Sequence, residues 1–130
     1  MSSVKHYAAQ IEAIKLLIRD AYRFPEYEEE LKKYAICVLD CMKDCHNLYM
    51  ELQELHDEAD QLKGGQRNDE TEEQFGERVE RYGQHVEKIL EIDAKIGPQT
   101  KAASKAVDDL NKYTKKMLDD ANGVRNPDLN

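Results

Sequence analysis

Leu31, Val38, Cys45, Leu52 and Ala59 recur every seven residues, and Tyr34, Cys41, Leu48, Leu55 and Leu62 form a companion row three residues on. Five unbroken heptads of this kind put two apolar rows on one side of a helix. The pattern predicts a helix from Pro25 or Glu26 to Lys63, on the order of 55–60 Å long, more than the width of a compact domain of this size. Between Tyr34 and Met50 the stripe broadens to take in Ala35, Ile36, Cys37, Leu39, Met42, Tyr49 and Met50, whereas from Glu51 to Lys63 only the narrow seam remains. A wide stripe needs several neighbours and a narrow one needs only one.

The flanking segments also read as helices. Val4, Tyr7, Ile11, Ile14, Ile18 and Ala21 predict a helix over 4–23, capped by Ser2 or Ser3 and widened by Leu16 and Leu17. Pro25 biases Phe24 away from helix, and the apolar phase slips there, so a tight turn is expected. Glu26, Glu28, Glu29 and Glu30 then suit the positive end of the next helix dipole. After Gly64-Gly65, the sequence Thr71-Glu72-Glu73-Gln74 has the form of a capping box and opens a third helix, about 70–96, with Phe75, Val79, Tyr82, Val86, Ile89, Leu90, Ile92 and Ile96. Gly76 and Gly83 lie seven apart on one side of it, where they either allow close backbone approach or lower helix stability by about 1 kcal/mol each. Gly97-Pro98 predicts a stop and restart. A fourth helix over 99–121 carries Ala103, Ala106, Val107, Leu110, Tyr113, Met117 and Leu118 and ends at Asn122-Gly123. Residues 124–130 are expected to be a frayed tail.

These elements predict an all-α fold. It is a four-helix bundle in one domain, residues 1–123, with a long central second helix and a projecting antiparallel coiled-coil hairpin formed by the second and third helices. The third helix is narrow-striped where it faces the narrow end of the second and wide-striped where it faces the wide end, which supports the hairpin pairing.

Charge sharpens this picture. The 130-residue chain has 27 acids against 19 bases, a net charge of −8. Residues 51–81 alone hold 11 acids and 4 bases, so most of the acidity falls on the hairpin. A basic nucleic-acid-binding domain is excluded as a first reading, and direct nucleic-acid binding is not expected. No apolar run approaches the roughly 20 residues of a membrane span, and Met1-Ser2-Ser3 leads into an amphipathic pattern without a signal-peptide profile. A cytoplasmic protein is expected, with export by a route needing no cleaved signal as the alternative. Cys37, Cys41 and Cys45, one turn apart, are too widely spaced for strain-free disulfides and read as reduced packing residues.

Candidate chemistry is sparse, and the chain reads as no enzyme with no cofactor. Cys41 and Cys45 with His85 or His6 could be drawn as a metal site, but there is no second Cys pair, so none is assigned. His6, His46, His56 and His85 lack the Glu three residues back that a di-metal bundle needs. His56, near Asp57 and Asp60, reads as a solvated flank residue. Leu62-Lys63-Gly64-Gly65 is internal and reads as a turn. Lys101, Lys105, Lys112 and Lys116, with Lys115 beside them, form a basic row balanced by Asp108, Asp109, Asp119 and Asp120. That row could pair with the acidic tip of another copy.

The function expected is a non-enzymatic helical protein-interaction module, an adaptor, scaffold or regulatory subunit. Its acidic hairpin at 51–81 would dock a basic protein surface through Glu51, Glu54, Glu58, Glu73, Glu77 and Glu80. Met42, Tyr49 and Met50 are candidates for self-association into a homo-oligomer. The alternative is an inhibitor whose acid rows imitate a nucleic-acid backbone in a basic groove. A weaker alternative is an exported helical effector or its chaperone, against which stands the absence of tryptophan and hence of a Trp-x-Gly turn.

Overall fold

The computed structural model describes residues 2–123; the expected frayed tail, 124–130, lies outside the described residues. Among them are three α-helices, α1 (Ser3–Asp20), α2 (Glu28–Leu62) and α3 (Glu72–Asn122), one 3-10 turn (Ala21–Arg23) and no strand. No helix among them is long and apolar enough to cross a membrane. The fold is all-helical, as the periodicity implied. The chain forms two compact units, the first Met1–His46 with Gln99–Asn130 and the second Asn47–Pro98, and α2 and α3 contribute to both.

The helix count corrects one expectation. Gly97-Pro98 does not stop the chain; α3 runs through Pro98 as one helix of 51 residues. Two features make this possible. A proline ring clashes with the Cβ of the residue before it, which disfavours helix there, and Gly97 has no Cβ. Pro98 also withholds an N–H from the carbonyl of Ala94, but both residues are exposed, so water can satisfy that oxygen. The predicted third and fourth helices are therefore one, and the bundle has three members rather than four.

The first unit has a core drawn from all three helices and the turn after α1: Ile11, Ala21, Leu31, Val38, Met42, Cys45, Ala103, Ala106, Leu110 and Met117. Leu31, Val38 and Cys45 are the largest fully buried side chains, three successive positions of one heptad row. With three helices each has only two neighbours, so the expected wide stripes are partly uncovered. Leu16 (50% exposed), Ile36 (45%) and Leu118 (62%) face outward, and so does Cys37. Ser2 caps α1, its side chain accepting from Lys5 N at 3.2 Å. The tight turn expected at Pro25 is present: the Phe24 N–H donates to Ala21 O at 3.0 Å and the Tyr27 N–H to Phe24 O at 2.8 Å, which delays α2 to Glu28. Tyr27 also donates its hydroxyl to Asp120 near the end of α3, at 3.3 Å.

The second unit is a helical hairpin. Its seam buries Leu55 and Ala59 of α2 and Ile92 of α3. Bonded pairs recede from the turn in opposite chain directions, Leu62 with Arg78 and then Glu58 with His85, so the two helices are antiparallel. Thr71 and Gln74 form the capping box: the Gln74 N–H donates to Thr71 Oγ1 at 3.1 Å and the Thr71 N–H to Gln74 Oε1 at 3.0 Å. Gly64 takes φ +109°, a left-handed backbone that favours glycine and ends α2.

Candidate protein interaction surface

The hairpin tip is organised by a residue that the apolar pattern passes over. Arg78 lies where the stripe was expected to hold Val79. Its side chain is 4% exposed, whereas Val79 is 49% exposed. All five guanidinium N–H groups are used. Nε donates to Glu70 Oε2 at 2.7 Å, Nη1 to the carbonyls of Leu62 (2.6 Å) and Gly64 (3.3 Å), and Nη2 to the carbonyl of Gly65 (2.8 Å) and to Glu70 Oε1 (2.8 Å). The guanidinium carbon also sits 5.3 Å from the Phe75 ring centroid. Buried charge is tolerated only when paired and fully hydrogen-bonded, and Arg78 meets both conditions. One side chain thereby caps the end of α2, holds the glycine turn and anchors it to the first turns of α3. Arg67 assists by donating to the Gln61 carbonyl at 2.7 Å.

Glu70 is consequently a structural acid. Its hydrogen bonds with Arg78, seconded by the Arg67 N–H at 3.0 Å, lower its pKa to about 2. The signal in the sequence was an arginine in seam phase, three residues after Phe75 and four before Tyr82, with a glutamate eight residues earlier. His85 is a second residue that the pattern missed. Nδ1 lies 2.9 Å from the Arg81 carbonyl and Nε2 2.9 Å from Glu58 Oε2. Both partners can only accept, so both ring nitrogens donate and the arrangement suits imidazolium. The Glu58 hydrogen bond, followed by that to Arg81, raises the His85 pKa above its ordinary value.

Against this frame the six glutamates expected to meet a partner, Glu51, Glu54, Glu58, Glu73, Glu77 and Glu80, are all exposed. Glu58 is engaged by His85; the side chains of the other five have no hydrogen bond or ion pair among the described residues. Glu51, Glu54 and Glu58 stand on α2, while Glu73, Glu77 and Glu80 stand on the first turns of α3. Glu51, Glu54, Glu73, Glu77 and Glu80 are therefore acids of the hairpin not committed to its own stability.

The structure separates the residues proposed for self-association. Met42 is in the core of the first unit and 7% exposed, so it is withdrawn from any surface, because α2 turns that side toward α1 and α3. Tyr49 is half-buried and Met50 is 41% exposed, both in the second unit. The cysteines divide likewise. Cys37 is exposed, Cys41 half-buried and Cys45 buried, its thiol 3.7 Å from the Gln99 carbonyl. Burial is the main cause raising both the Cys41 and Cys45 pKa values. Among the described residues no three His, Cys, Asp or Glu side chains converge as metal ligands.

The charge division is sharper by unit than along the chain. Asn47–Pro98 contains 14 acids and 6 bases, whereas the remaining 78 positions contain 13 of each. The whole net charge of −8 therefore belongs to the hairpin unit. No protein-family model, no curated protein and no solved structure matches this chain.

Proposed function

We propose that the protein is a non-enzymatic interaction module whose acidic hairpin docks a basic surface on a protein partner. The observation that carries the reading is the division of labour among the hairpin acids. Glu70 is spent on Arg78, Asp60 on Lys63 and Glu58 on His85, while Glu51, Glu54, Glu73, Glu77 and Glu80 remain exposed and unpaired. Acids with no internal partner on a scaffold fixed by a buried arginine present a preformed negative face at little ordering cost. Long-range attraction from such a face raises association rates and weakens with salt.

The test is capture of a partner by the intact chain, compared with a variant carrying Glu73→Lys, Glu77→Lys and Glu80→Lys, over a salt series. Capture that falls with salt and is lost in the variant is expected. Equal capture by both chains at every salt concentration overturns the reading. Competition by DNA or RNA for the same partner would favour the nucleic-acid mimic over the adaptor.

A further inference from the structure

The lysine row of α3 contains a built groove. In the first unit, α2 and α3 line an open groove of about 510 Å³ bordered by Glu30, Tyr34, Asp109, Lys112, Tyr113 and Lys116. The Tyr34 and Tyr113 rings, with centroids 5.1 Å apart and planes tilted by 32°, form one wall. Both carboxylates are already committed, Glu30 to Lys33 at 3.2 Å and Asp109 to Lys105 at 3.2 Å. Lys112 and Lys116 are exposed, and their side chains make no hydrogen bond or ion pair among the described residues. The groove therefore offers two uncommitted ammonium groups one helical turn apart, about 6 Å along the axis, beside an aromatic wall.

A fitting occupant needs two carboxylates at the same spacing on a helix, without internal partners. The hairpin unit supplies them: Glu73 and Glu77 are one turn apart on α3, Glu80 follows on the same side, and all three are unpaired. Both sets belong to α3, and a helix does not fold back on itself, so their pairing requires two molecules. We infer that the Glu73–Glu77–Glu80 row of one copy docks on the Lys112–Lys116 groove of a second copy.

This inference rests on the acidic-docking reading and names one partner for it. Each copy carries one donor face and one acceptor groove, so a closed pair makes two such contacts and an open chain makes one per junction. Exposed ion pairs are individually weak and screened. The association is accordingly weak, dependent on concentration, and confined to low ionic strength.

The experiment is sedimentation equilibrium from about 10 µM to 1 mM chain, between about 50 mM and 500 mM salt. The 15.1 kDa chain is expected to show a rising average mass at low salt and monomer mass at high salt. Glu73→Lys with Glu77→Lys places lysines against lysines and abolishes association, as does Lys112→Glu with Lys116→Glu. Mixing the two variants restores opposite charges at both contacts, so a mixed complex forms although neither variant associates alone. All four side chains are exposed, and helical circular dichroism spectra matching the wild type are the check that both variants fold. A monomeric wild-type chain at every condition, association that survives either pair of substitutions, or failure of the mixture to associate each overturns the inference. The parent reading is judged separately by external partner capture with the Lys112→Glu, Lys116→Glu chain, whose hairpin is intact.

Discussion

A buried arginine that satisfies all five of its donors is exacting in a way that a buried leucine is not. Arg78→Lys keeps the charge but loses the fork that reaches Glu70 and three backbone carbonyls together, so it is expected to behave much like Arg78→Met at the tip. Both variants should lower the melting temperature and speed amide exchange across residues 62–75; unchanged exchange there would contradict the capping role. Two pH effects follow with opposite signs. The folded pKa of Glu70 is depressed to about 2 from an ordinary 4.5, so its contribution is full above about 4.5 and fades as the pH falls toward 2. Glu70→Gln should flatten that part of an acid unfolding profile. The folded pKa of His85 is raised above 6.5, so its contribution is full below 6.5 and is lost as the pH rises through the raised value. His85→Gln should remove a loss of hairpin stability on the alkaline side of 6.5, measured by thermal melts across pH 5–9.

The glycines distinguish the ways in which one helix uses the same residue. Gly76 and Gly83 lie inside α3, and a Cβ added at either meets nothing within 4 Å. Neither glycine serves a close approach, so their cost is purely conformational. Gly76→Ala and Gly83→Ala are each expected to raise stability by about 1 kcal/mol, measured by denaturant unfolding. Gly97 is equally open to its surroundings, yet it precedes Pro98. A Cβ there would meet the proline ring, so Gly97→Ala should give none of that gain and should loosen α3 at this point. Much of this element scale was legible beforehand: the capping box at Thr71, the heptads of α2, the turn at Pro25 and the cap at Asn122-Gly123, where α3 ends and Gly123 takes φ +69°. Gly97-Pro98 was misread because the pair resembles a helix stop, whereas the missing Cβ and the solvent-facing position are what let the helix continue.

At the scale of the molecule, one unit has a three-helix core and balanced charge, and the other is a two-helix seam holding the entire −8. Leu31→Ala, at a residue 1% exposed in the first core, is expected to cost about 2–5 kcal/mol in global unfolding. A loss well under 1 kcal/mol would mean that this core is not the main source of stability. Charge reversal at the unpaired glutamates should do the opposite, leaving stability within about 0.5 kcal/mol while changing binding and its salt dependence.

The amino-acid sequence alone determined the helical class, the seam of α2, the turns at Pro25 and Gly64-Gly65, and the acidity of the segment around Gly64-Gly65. Those properties are set by periodicity, local backbone preference and composition, which act over a few residues. Only the tertiary structure decided that α3 is one helix, that Leu16, Ile36 and Leu118 face outward, that Arg78 replaces Val79 in the seam, and which acids are committed. Outward-facing side chains, the seating of Arg78 and the pairing of acids depend on which neighbours a side chain meets across helices; the continuity of α3 depends on Gly97 lacking a Cβ and on Pro98 facing solvent. Glu70 and Glu73 look alike in the sequence; an arginine eight residues from one of them makes it a structural anchor and leaves the other exposed to solvent.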